Sequence, residues 1–403
     1  MKKWMTSLMI LTMVLSFSSG VTAEENKLTV KQLMDLYDNQ SIDNYQTELS
    51  FLLDEMQDEA NLENYESILD SLSIYEVKLY MYDMELEQLI EEEDTSSSEF
   101  NQVIYQLALT QNQYLNSLEG QLNNYMDMEV LQYELNRVNQ LLSQELLTNQ
   151  YNFQAYLYDY GLMQLDVELL ELEKEILTLE KENALLELES GNVTSTVIED
   201  INMQLITLED QLSTSEIKLK ECYDTILYTL NLDTSISYDF HVNPEEIQII
   251  DIQEMDEFLS LAVSTNFGLN LIEFQQQQYE NYLVKLNLVY DEDEASYEEK
   301  YLSYQLDLKK LEQEKQSIYL DIKKCYYNYD NSLKELDLSY KKYELYKQNY
   351  EHVLLEYELG NISTLDQLEA EYQLRKNTYN YYQQLITYNQ FKVDYLKYLY
   401  GIN

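Results

Sequence analysis

One proline, Pro244, and seven glycines are spread over 403 residues. Turns and loops depend on those two residue types, so connections are few and the elements between them are long. Two cysteines, Cys222 and Cys325, are too few for a disulfide framework or a cysteine metal cluster. Cations are scarce: 25 Lys and Arg stand against 75 Asp and Glu, for a formal charge of −50. That charge excludes nucleic acid, whose phosphate backbone must be neutralised by cations, and disfavours an anionic membrane surface. The plainest meaning of the excess is a solvated acidic exterior. The two histidines, His241 and His352, are isolated, and neither a Ser-His-Asp set nor a phosphate-binding loop is present. No enzyme activity, cofactor or metal is therefore expected.

Long hydrophobic runs are missing too, apart from the start. Lys2 and Lys3, then Trp4 to Phe17, then Val21-Thr22-Ala23 follow the order of a secretory signal peptide, with the mature chain expected from Glu24. A membrane anchor is the competing reading, but the apolar stretch is short of the roughly 20 residues that span a bilayer. No later segment approaches about 18 consecutive apolar residues, so no transmembrane helix is expected in the mature chain. What is plentiful is leucine and tyrosine. Forty tyrosines suit a half-wet surface, because the ring packs while the hydroxyl reaches water.

These apolar residues fall at helical spacing. Leu162, Leu165, Leu169, Leu172, Ile176 and Leu179 form a 3-4-3-4-3 seam. Met163, Val167, Leu170 and Leu177 run beside it, and two stripes imply two helical neighbours. Leu333, Leu336, Tyr340, Tyr343, Tyr350, Leu354 and Tyr357 keep the same spacing with Lys347 in one slot. Leu365, Leu368, Tyr372, Tyr379, Tyr382, Ile386, Val393, Leu396 and Tyr400 continue it, with Arg375 and Asn389 in two slots. The pattern predicts a helix over about 297–359, a rod of roughly 90 Å at about 1.5 Å per residue. It also predicts left-handed supercoiling.

Two breaks interrupt these seams: "LESGNVTSTVIEDINMQL" from Leu188 and "YELGNISTLDQLEAEYQL" from Tyr357. Glycine accepts the left-handed conformation that ends a helix, and Thr194 or Thr196, and Ser363, offer N-cap oxygens to the next one. Ser363-x-x-Asp366 and Thr196-x-x-Glu199 resemble capping boxes. Gly191 and Gly360 are thus expected at the tips of two helical hairpins. From those glycines onward the segments align without gaps, Asn192 with Asn361, Leu205 with Leu374, Leu227 with Leu396, which marks an internal duplication.

The duplication is fainter upstream. "LTVKQLMDLYDNQS" from Leu28 and "MDEFLSLAVSTNFGLNLIEFQQQQ" from Met255 each read as a short helix, an Asn, then a long helix. Ile236, Tyr238, Phe240 and Val242 alternate with polar residues as a strand does, and Ile247 to Gln253 offers a second short strand beyond Pro244. Gly120 and Gly161 interrupt the stretch from Phe100 to Ser190, and acidic segments at Glu91 to Phe100 and Tyr290 to Ser296 read as turns. The fold class is all-α: long antiparallel coiled-coil hairpins in two tandem repeats, with minor strands between them. The expected organisation is a signal peptide over 1–23, a first repeat over 24–235, a linker with short strands over 236–254 and a second repeat over 255–403.

A signal peptide, a duplicated half and two coiled-coil hairpins resemble the TolC-like outer-membrane efflux protein family. The closest resemblance lies in Gly360-x-x-Ser363-x-Leu365-Asp366-x-Leu368-x-Ala370 and the closing Leu399-Tyr400-Gly401. It is strong over 160–235 and 300–403 and weak over 28–160. The resemblance implies a homotrimer forming a tubular α-barrel that docks a membrane-fusion adaptor protein and an inner-membrane pump, and exports small molecules or proteins without covalent chemistry. It assigns adaptor docking to the tips Gly191, Asn192, Gly360 and Asn361. It also assigns a constriction to Asp366 and Glu369, and a closed-state latch to Tyr357. Ile362 stands where the latch has an arginine, and Val197 where the first repeat would be acidic. The family's membrane strands, of about 9–11 residues each, find no room at Tyr290 to Ser296, and Glu91 to Phe100 shows no alternation. A transmembrane β-barrel is therefore not expected, and the protein belongs in the cell envelope, outside the cytoplasm.

Simpler readings stand beside these. Asp366 and Glu369 are also the acids that a helix N-terminus favours. The sequons at Asn192 and Asn361 are turn chemistry first and glycosylation acceptors second. Cys222 lies 31 residues after one tip and Cys325 35 before the other. On adjacent helices those levels differ by about 6 Å, which leaves open both a disulfide and two thiols packing as small hydrophobes. The alternative to a channel is a coiled-coil scaffold or spacer of the envelope that does not conduct.

Overall fold

The computed structural model describes residues 27–91, 97–292 and 294–401. The expected signal peptide lies outside them. Nine α-helices carry nearly all of the described chain: α1 Val30–Gln40, α2 Ile42–Glu91, α3 Ser98–Leu135, α4 Val138–Glu189, α5 Ser195–Thr229, α6 Met255–Thr265, α7 Phe267–Val289, α8 Ala295–Glu358 and α9 Thr364–Tyr400. The all-α class with long hairpins is what the structure has. Its only sheet among the described residues is one parallel pair, β1 Lys27–Thr29 and β2 Asp239–His241, with Leu28 opposite Phe240. Residues 92–96 separate α2 from Ser97, and 290–294 separate α7 from α8. Neither gap is long enough for two strands of about 9–11 residues. No helix among the described residues is long and apolar enough to cross a membrane.

Local chemistry explains where the helices start. Thr29 and Gln32 form a capping box on α1. The Ser97 hydroxyl accepts from the Phe100 N–H at the start of α3. Between α6 and α7, Asn266 accepts from the Leu269 N–H at 2.9 Å. The equivalent break in the first half falls at Ser41 rather than at Asn39, because the Ser41 hydroxyl is placed to accept from the N–H groups of Asp43 and Asn44.

Three local expectations are corrected. Helix runs through Gly120 and Gly161, and the break comes instead at Asn136–Arg137. A lone glycine costs a helix interior about 1 kcal/mol, which tertiary packing overrides. Gly161 has a packing reason: a Cβ there would stand 3.0 Å from the Val242 side chain. Second, Ile247 to Gln253 is not a strand. Its backbone is satisfied by side chains: Ile250 donates to the Tyr388 hydroxyl and accepts from that of Tyr329. Gln253 in turn donates to Tyr395 and accepts from Tyr326, and Lys392 Nζ donates to the Gln248 carbonyl. Third, Thr196 and Glu199 form no capping box, since the N-cap lies two residues earlier at Thr194, whose side chain makes no cap bond.

The chain divides into two compact units, each drawing on both sequence repeats. The first takes the described residues up to Thr47, then Glu145–Phe258 and Lys324–Lys397; the second takes Glu48–Gln144, Leu259–Lys323 and the described residues from Tyr398. In the first unit, Tyr37 stacks on Phe153 with centroids 4.3 Å apart. Phe258 stacks on Tyr395, which stacks in turn on Tyr329. Cys222 and Cys325 are both free and buried. Cys222 sits beside Tyr156 and Cys325 beside Asp394, and burial pushes the Cys325 thiol up to about 12.

In the second unit, α3 lies against α7. The Tyr125 hydroxyl donates to Gln278 at 2.7 Å, and Tyr133 stacks on Phe274 while carrying the Arg137 guanidinium 3.7 Å from its ring.

Candidate docking tips and acidic groove

Both Gly-Asn breaks are tight helical tips. Gly191 has φ 74° and Gly360 φ 75°, the left-handed region that only glycine enters without strain. Gly191 N–H donates to Leu188 and Asn192 N–H to Glu187; Gly360 N–H donates to Tyr357 and Asn361 N–H to Glu356. Those paired bonds are the Schellman closure, which satisfies the last carbonyls of α4 and α8. Asn192 and Asn361 are exposed, and the Asn361 amide also donates to Glu356 at 2.6 Å. The tips differ in how the next helix starts. Ser363 and Asp366 form a reciprocal capping box: the Asp366 N–H donates to the Ser363 hydroxyl, and the Ser363 N–H and hydroxyl donate to the Asp366 carboxylate at 3.0 and 2.7 Å. These bonds hold the exposed Asp366 carboxyl below the usual range.

The two hairpins lie side by side within the first unit. Leu172 and Ile176 of α4 share a buried cluster with Leu368 of α9, joined by Leu179, Leu365 and Tyr372. Around it the Tyr372 hydroxyl donates to Glu173, and Arg375, the charged residue in a seam slot, pairs with Glu168 at 2.8 Å and with Glu371. Each hairpin is also tied within itself. Lys174 pairs with Glu209 and Ser215 donates to Asp166 between α4 and α5. Between α8 and α9, Tyr343 stacks on Tyr381, and the Tyr350 hydroxyl lies 3.5 Å from Glu371. The lateral order is therefore α5, α4, α9, α8, and the outer helices keep apolar residues in water: Met203, Ile206 and Ile217 on α5, Leu338, Leu345 and Leu355 on α8.

A groove of about 490 Å³ runs beside this seam. Asp366 and Glu369 line it together with Glu173 and Glu180, two carboxylates that the sequence had not marked, and with Tyr346, Tyr372 and Gln204. No Lys or Arg is among its lining residues. Their common placement needs the register of α4 on α9, which no motif announces. Tyr357 does not reach this groove's lining; its hydroxyl lies 3.4 Å from that of Thr364, across its own exposed tip.

No protein-family model and no curated protein matches the sequence. Solved structures do. A membrane protein from Pseudomonas aeruginosa aligns over 93% of this chain and 93% of its own, with a TM-score of 0.50 at 9% identity. The CmeC outer membrane channel of Campylobacter jejuni aligns over 72% of this chain and 68% of its own, at TM-score 0.46 and 12% identity. The open MtrE outer membrane channel of Neisseria gonorrhoeae aligns over 93% and 88%, at 0.42 and 10%. The chain thus shares its fold with the Pseudomonas aeruginosa membrane protein along nearly its whole length. At such identities the likeness is one of fold, and site roles must be argued from this chain's own residues. Within this fold, the hairpin tips and acidic groove are the features with chemistry to offer. Among the described residues no group of His, Cys, Asp and Glu is arranged to hold a metal ion.

Proposed function

We propose that this chain is an extracytoplasmic TolC-like channel component. Three copies close into an α-helical tube, the exposed edge of α5 on one copy meeting that of α8 on the next. The tips at Gly191-Asn192 and Gly360-Asn361 engage an adaptor protein that connects the tube to a pump. Asp366 and Glu369, with Glu173 and Glu180, face the lumen as an acidic constriction through which exported small molecules or proteins pass. Such a tube moves substrate without covalent chemistry.

One observation carries this reading: two glycine-capped hairpins packed side by side leave apolar residues in water on both outer helices. Apolar side chains left in water along both outer helices are surface that a partner would cover. Light scattering on the mature chain, with and without detergent, is expected to give a three-chain mass. A monomer at high concentration in both conditions overturns the tube.

A further inference from the structure

The sequence repeat treats the two tips as equivalents, but inter-hairpin contacts place them at different heights. Ile176 lies 15 residues before Gly191, yet it shares a cluster with Leu368, only 8 residues after Gly360. Glu173, 18 residues before Gly191, accepts from Tyr372, 12 after Gly360. Glu168, 23 before, pairs with Arg375, 15 after. Each contact gives an offset of six to eight residues in the same direction. Packed helices at about 1.5 Å per residue convert one heptad into about 10 Å. The apolar pattern agrees: Leu365, Leu368 and Tyr372 share one cluster with Leu179, Ile176 and Leu172, and taken in that order each pair is one heptad short of level.

We infer that the first hairpin tip alone makes the primary contact with the docking partner, because it stands about one heptad beyond the recessed second tip. This rests on the docking role proposed above and narrows it from both tips to the first. The projecting segment has its own surface. Leu185, Leu186 and Val197 are exposed there beside Glu182, Glu187, Glu189, Glu199 and Asp200, with Lys181 as the one nearby cation. Exposed apolar side chains set among carboxylates fit a helical hairpin whose own apolar heptad positions are flanked by Lys or Arg. A closed ring of three copies then offers three contact points rather than six.

Two measurements test this separately. With the native cysteines replaced by serine, oxidation is expected to close a disulfide between Ile176→Cys and Leu368→Cys, and not between Ile176→Cys and Arg375→Cys. The reverse result overturns the offset, whatever the protein docks. In cells expressing the full chain, a benzophenone amino acid replaces Asn192 or Asn361 and adducts are sequenced by mass spectrometry. The expected result is an adduct from position 192 onto a Lys- or Arg-flanked helical hairpin, at least tenfold above position 361. Equal yields, or adducts from 361 alone, overturn the single-tip contact. Adducts from neither position, with the disulfide formed as expected, overturn the docking role itself and leave the offset standing.

Discussion

Tyrosine hydroxyls do the work of a strand in this protein. The Tyr329 hydroxyl donates to the Ile250 carbonyl, so the proton between Tyr329 and Tyr388, 3.0 Å apart, belongs to Tyr388. Tyr388 then accepts from the Ile250 N–H. Burial, with these neighbouring hydroxyls, raises the Tyr329 phenol far above its ordinary value, so it keeps the proton it donates to Ile250 at neutral pH. Replacing Tyr388 with Phe leaves a main-chain N–H and a buried hydroxyl short of partners, at an expected cost of about 1–3 kcal/mol. Tyr228→Phe, at a site 72% exposed, is expected to change stability by less than about 0.5 kcal/mol. Urea unfolding of both variants checks the contrast, and equal stabilities for the two contradict it. The abundance of tyrosine was plain from composition, but the isoleucine-rich run Ile247 to Gln253 read as a short strand. An apolar run is silent on what satisfies its backbone.

At the scale of elements, the glycine breaks were the most legible feature. A helix cannot continue through a left-handed residue, and no side chain substitutes freely there. Nothing lies within 4 Å of a Cβ built on Gly191 or Gly360. Gly191→Ala and Gly360→Ala are therefore expected to cost about 1–2 kcal/mol each from backbone strain alone. Gly401→Ala, which puts its Cβ 2.7 Å from the Thr265 carbonyl oxygen at φ 67°, is expected to cost more. Melting temperatures of the three variants rank these effects.

The two tips also differ chemically. Ser363→Ala removes a working capping box and is expected to lower stability by about 1 kcal/mol, while Thr194→Ala, whose side chain caps nothing, stays near wild type. The repeat alignment predicted equivalence here. Capping depends on one rotamer and one hydrogen bond, which similarity of sequence does not guarantee. By contrast, Gly120 and Gly161 punctuate the sequence without ending a helix, and Gly161 gives Val242 room to pack against it.

For the whole molecule the governing quantity is the carboxylate excess. Burial pushes the carboxyls of Asp38, Asp58, Glu134, Asp159 and Asp394 above the usual range, with neighbouring carboxylates adding to the rise at Asp38, Asp58 and Glu134. A carboxyl raised in the folded state holds more protons folded than unfolded. Its contribution is most favourable below the ordinary carboxylate value and declines as pH rises through the window above it. Asp366 and Asp233 run the other way, but both are fully exposed to solvent and screening. The melting temperature is expected to rise on going from pH 7 to pH 5, and less so at high salt. A fall over that interval contradicts the assignment.

The sequence by itself determined the elements. Heptad spacing specifies which helical faces are apolar, and two glycines followed by polar caps specify where the chain reverses. Both are local properties that each segment carries wherever it is placed. Tertiary packing decided how those elements meet: the heptad offset of one hairpin on the other, the gathering of Glu173 and Glu180 with Asp366 and Glu369, and the tyrosine bonds along the linker. A heptad repeat looks the same after every seven residues, so it leaves register undecided. The fit of Leu172, Ile176 and Leu368 in one buried cluster, with Tyr372 on Glu173 and Arg375 on Glu168 beside it, chooses among the equivalent alignments.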